Sequence, residues 1–138
     1  MPDLNANVKE ELVDVRRDLQ NISNRDPTAP EDLGHDLRKY TENAAAHPSI
    51  DELTKRTATV LPGKKLDQQS GDRLAQQLWT TVAGRQLSER QVEALQNDLH
   101  STLVSVGVDE ANAQQVAAQV LEVQKQISAR QRRWYEWF

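Results

Sequence analysis

A chain of 138 residues with only 31 Leu, Val, Ile and Phe has room for one domain of ordinary size and a lean core. The net charge of −4 argues against polyanion binding by the whole surface. The absence of cysteine excludes disulfides, thiolate metal sites and Cys nucleophiles.

The first element is a helix over residues 4–23. Val8, Leu12, Val15, Leu19 and Ile22 recur at spacings of 4, 3, 4 and 3, a narrow heptad stripe flanked by charge. The stripe suits either an amphipathic helix lying on the domain or a helix that pairs with a second copy. Two prolines in NRDPTAPED then break the pattern. Thr28 and Glu31 read as a capping box opening a second helix, with Leu33, Leu37, Tyr40 and Ala44 on its face. HPSIDE restarts the chain, and Ser49 with Glu52 reads as another capping box. Ile50, Leu53 and Val60 follow on a short third helix, ended by the turn LPGKK.

A fourth helix is expected from about Asp67 to Ala83, with Leu74, Leu78 and Val82 on one face and Gly84 placed to end it. Trp79, beside that face, reads as a core anchor. In LSERQV, Ser88 and Gln91 form a capping box and Leu87 and Val92 a hydrophobic staple. The fifth helix then carries Val92, Leu95, Leu99 and Leu103. Gly107 suits the left-handed residue after its end, and Asp109 caps the sixth. So short a connection makes residues 88–137 an antiparallel helical hairpin.

The fold expected is therefore all-α: a five- or six-helix bundle with a C-terminal antiparallel helical hairpin. Residues 1–138 read as a single all-helical domain, with 1–27 as a peripheral N-terminal helix and linker. No apolar run approaches the ~20 residues of a membrane span. The segment MPDLNANVKEELVDVRRDLQ has no signal-peptide core. A cytoplasmic location is expected, or a periplasmic one if a leader has been removed.

Little in the chain points to chemistry. His35, His47 and His100 lack the i, i+3 or i, i+4 spacing with which two helical histidines converge on a metal. LPGKKL contains Gly-Lys but lacks the earlier glycine and the following Ser or Thr of a phosphate loop. Carboxylate pairs such as Glu10–Glu11, Glu31–Asp32 and Asp51–Glu52 sit where helix dipoles and solvated faces favour them. No catalytic residue, metal site or cofactor is assigned, and a non-enzymatic protein is expected.

The end of the chain is the exception. Of six aromatic residues, four (Trp134, Tyr135, Trp137 and Phe138) lie in the last five positions, just after Arg130, Arg132 and Arg133. Residues 125–138 carry a net charge of +3, after a net −5 over residues 66–124. Val116, Val120, Val123 and Ile127 begin a stripe whose continuation falls on 130, 134 and 137, so Trp134 and Trp137 share the valine face. Trp and Arg are the residues enriched at interface hot spots. Arg130, Arg132, Arg133, Trp134, Trp137 and Phe138 are therefore taken as partner-binding. The function expected is a helical protein-interaction or assembly module, whose partner is another protein or a second copy in a homodimer. A small regulatory nucleic-acid- or membrane-surface-binding protein is the alternative, because Arg with aromatics also stacks bases and suits headgroups.

Overall fold

The computed structural model describes the backbone of residues 4–39, 47–82 and 87–136, and their side chains except at 4–9, 11 and 130–136. The protein is an all-α bundle. Among the described residues there are six helices and no strand: α1 (Leu4–Ser23), α2 (Ala29–Lys39), α3 (Pro48–Val60), α4 (Gln68–Val82), α5 (Glu89–Ser105) and α6 (Glu110–Glu136). None of them is long and apolar enough to cross a membrane.

Helix α6 is the strut of the bundle. Its 27 residues run about 40 Å and pack against α5, α3 and α4. The valine stripe explains this, since Val116, Val120, Val123 and Ile127 are all buried in the common core. Helix α3 runs antiparallel to it, tied by Ser49 Oγ to Gln126 Oε1 near one end and by Arg56 Nη1 to Gln115 Oε1 (2.8 Å) near the other. Helix α1 packs on α4 and α2, and its Val15, Leu19 and Ile22 are part of the same core. Arg16 of α1 adds an ion pair to Asp72 of α4 (2.8 Å), and Arg38 of α2 pairs with Asp51 of α3.

The core is lean in aliphatic side chains and admits threonines. Thr54, Thr57, Thr81 and Thr102 are buried. Each donates its hydroxyl back to the carbonyl four residues earlier: Ile50, Leu53, Gln77 and Asp98. A buried hydroxyl satisfied in this way costs little. The amide of Gln77 also donates to Thr102 Oγ1 (3.2 Å), which ties α4 to α5.

The hairpin forms as its punctuation implies. Ser88 caps α5: its side chain accepts from the Gln91 backbone, while the Gln91 side chain accepts from the Ser88 backbone. At the other end Gly107 takes φ +99°, a left-handed conformation that favours glycine. The Val108 N–H then reaches back to the Leu103 carbonyl (3.0 Å). Ser88→Ala removes one arm of this box, and a loss of about 1 kcal/mol in stability is expected from urea melts. Gly63, at φ +76°, turns the chain after α3 and donates its N–H to the Ser23 carbonyl (3.0 Å), so one turn also terminates α1.

Three local expectations change. Helix α3 starts at Pro48, with His47 as its N-cap and no side-chain cap bond. Proline is favoured at the first helical position because its missing N–H would be unpaired there anyway. Ser49 is thus already inside the helix and bonds Gln126 instead. Thr28 donates its backbone N–H and its hydroxyl to the Asp26 carboxylate (3.0 and 2.8 Å). Trp79 is half-buried, whereas its neighbour Leu78 fills the core. A residue adjacent in sequence lies about 100° around the helix, off the inward stripe. The expected roles of Tyr40, Ala44 and Gly84 lie outside the described residues.

Candidate interaction surface

The antiparallel register of α5 and α6 sets a wide opening between them. The capped start of α5 lies beside Ser128 and Ala129 of α6, and between the two helices is an open groove of about 740 Å³. Leu87, Val92, Leu121 and Ala129 give it an apolar lining. The staple pair Leu87 and Val92 therefore does two jobs: it brackets the helix start and leaves both side chains half-buried at the mouth of the groove. Glu89 and Glu93, both exposed, bring two carboxylates to the α5 wall, and Lys125 brings one ammonium to the α6 wall.

Helix α6 continues past this groove. After Ala129 it runs seven more residues, Arg130 to Glu136, about 10 Å along the axis. Of the predicted partner-binding residues, Arg130, Arg132, Arg133 and Trp134 are thus on the same unbroken helix as the valine stripe. Their side chains, and all of Trp137 and Phe138, lie outside the described residues. The structure does place the start of that segment at the edge of an apolar groove. The groove itself was not foreseen. Leu121 was the available signal, an apolar residue one position off the valine stripe.

A second arrangement, also unforeseen, lies at the α1–α2 seam. Asp18 is only 2% exposed, and its Oδ2 has no hydrogen-bond partner among the described residues. Burial comes first in holding its proton. A hydrogen bond with the Asp36 side chain and the charge of Asp36 come next, partly opposed by Arg17 and reinforced by Asp32. Together they push the Asp18 carboxyl up to about 8. Exposed carboxylates behave in the opposite way. Asp26 is held below the usual range by the backbone N–H and hydroxyl of Thr28, and Asp67 by Ser70, which donates to it at the start of α4.

The histidines do not converge. His35 is exposed, His47 is buried at the start of α3, and His100 lines a small polar cleft with Glu93 and Gln114. No group of three or more His, Cys, Asp or Glu among the described residues is arranged to hold a metal ion. Comparison with known proteins found no matching family model, no matching curated protein and no matching solved structure.

Proposed function

We propose that this chain is a non-enzymatic helical interaction or assembly module, with the α5–α6 groove and the end of α6 as its contact surface. The observation that supports this reading is the position of the groove. An apolar-lined opening with a charged rim adjoins the segment that holds four of the chain's six aromatic residues, together with three arginines. Buried aromatic anchors surrounded by polar rims carry most of the energy at protein interfaces. Hydrophobic lining with a few polar groups also describes small-molecule sites, but one wall of this groove is a helix that continues outward past it.

The test uses the immobilised full chain against its native lysate, beside Leu121→Gln and a Trp134→Ala/Trp137→Ala variant. Leu121 is half-buried and its replacement leaves the core intact. Stoichiometric capture lost in both variants is the expected result. Binding to generic DNA or RNA that falls steeply with salt, or co-sedimentation with anionic vesicles, would displace this reading in favour of a surface binder.

A further inference from the structure

We propose that the seam between α1 and α2 is a proton-operated latch, held shut while Asp18 and Asp36 share a proton and released when both carboxyls are charged. The latch is independent of the α5–α6 groove.

The seam encloses a carboxyl where a charge is poorly accommodated. Asp18 is buried on the stretch of α1 whose Val15, Leu19 and Ile22 belong to the common core. Its Oδ2 has no hydrogen-bond partner among the described residues, and across the seam it shares a hydrogen bond with the Asp36 side chain. Two carboxyls bond each other only when one keeps its proton. Without that proton, a buried carboxylate faces a second carboxylate, which is costly. The cation that acts on Asp18 is Arg17, and it is exposed and paired with Asp14 (3.5 Å). Helix α2 adds the negative charge of Asp32. Its Arg38 pairs with Asp51 of α3, and its Glu31, His35 and Lys39 are exposed. Helix α4 carries two charged residues, Asp72 and Arg73, both exposed. Asp72 is held by Arg16, which is two residues before Asp18 and so on nearly the opposite side of α1.

The surrounding contacts decide where the molecule gives way. Helix α1 is tied to α4 by Arg16 and Asp72, and a Cβ at Gly71 would come within 3.1 Å of Arg16 Cγ, so the two helices approach closely there. Helix α2 is tied to α3 by Arg38 and Asp51, and its Gly34 lies against Thr54. Each side of the seam is thus anchored to a different neighbour. At one end the turn between α1 and α2 holds them together, with the Arg25 N–H on the Ile22 carbonyl (3.0 Å) and the Asp26 N–H on the Asn21 carbonyl (2.9 Å). Charging both carboxyls parts the helices along the seam with that turn as the hinge. It bares Val15 and Ile22 of α1 and Leu33 and Leu37 of α2, all core residues. The closed seam holds the Asp18 proton to about 8, whereas an open one releases it near the ordinary 3.8. The ratio of closed to open molecules therefore falls about tenfold per pH unit between these values and levels off above the upper one.

The chain has no cysteine, so a single engineered thiol reports on one site. The experiment places Val15→Cys in the seam and Val123→Cys on α6, both at fully buried positions, and labels each full chain with a maleimide at pH 8. Helical circular dichroism confirms that each variant is folded, and Leu33→Cys serves from the α2 side if Val15→Cys is not. The seam thiol is expected to react about tenfold faster than the α6 thiol or more, because the latter waits for the whole bundle to open. Adding Asp18→Asn should slow the seam thiol markedly at pH 8. Comparing Asn with Asp at one pH cancels the ionisation of the thiol itself. At pH 6 the same substitution should slow labelling several-fold less, since Asp18 then keeps its proton in the closed seam. Asp36→Asn should slow the seam thiol in the same direction and by less. A seam thiol no faster than the α6 thiol overturns the latch. So does a rate that ignores Asp18→Asn, or one slowed equally at both pH values.

Discussion

Replacing Asp18 by Asn should raise the stability of the protein at pH 8 by on the order of a few kcal/mol, and flatten its dependence on pH below that. The sign follows from the two states of the carboxyl. In the unfolded chain it releases its proton near 3.8, whereas in the folded chain it holds it to about 8. Between these values the folded state binds more protons, so the stabilisation is full below the lower value and is lost as pH rises through the upper one. The cause is physical proximity of like groups. Asp18 of α1 is buried against Asp36 and Asp32 of α2, with Arg17 as the opposing cation, while Arg16 of α1 is turned toward Asp72 of α4. Asparagine keeps a donor for Asp36 and carries no charge to desolvate. Asp36→Asn should recover part of the effect, since burial of Asp18 remains. Below the usual carboxylate range the slope reverses, because Asp26 and Asp67 are held low and lose their bonds on protonation. The wild-type optimum therefore falls at mildly acidic pH. Urea melts across the window check this, and a wild-type stability that does not decline with rising pH would refute it.

Leu103→Ala should act in the opposite direction and destabilise the protein by about 2–5 kcal/mol. Leu103 is fully buried on α5 within the common core. The core is lean, and threonines already occupy buried positions in it. The matched control is Val104→Ala on the next residue. Val104 is 43% exposed, so its truncation should cost less than about 0.5 kcal/mol. Thermal melts of the two variants read the difference directly, and equal losses would mean that the α5 face has been assigned to the wrong side.

Much of the bundle was legible because helices advertise both their inward face and their ends. The spacing of Val116, Val120, Val123 and Ile127 predicts the buried side of α6, and Ser88, Gln91 and Gly107 mark the hairpin by the backbone groups they satisfy. Proline makes HPSIDE harder to read, since Pro48 and Ser49 both favour a helix start and only one register is realised. Asp18 was hidden for a different reason. It is three residues after Val15 and four before Ile22, on the same face, yet a carboxylate is ordinarily assigned to solvent. The groove is less legible still. It depends on how far two helices splay, which is decided by side-chain volumes across the hairpin and not by period. For the terminal aromatics, spacing puts Trp134 and Trp137 on the valine stripe, and α6 carries that helix to Glu136. What those rings touch depends on groups beyond the helix itself.

The pairing of α1 with α4 has a consequence for how the chain is made. The hairpin partners α5 and α6 are separated by four residues, and contacts so local form early. Helix α1 has no such neighbour for its second face. Arg16 waits for Asp72, 56 residues later, and at about 5–20 residues per second that is roughly 3–11 s of synthesis. Until then Val15, Leu19 and Ile22 have only α2 for cover. Helix α1 thus leaves the ribosome before the other five helices and is among the last to be sealed. That interval is when a chaperone or a neighbouring nascent chain finds its apolar stripe open.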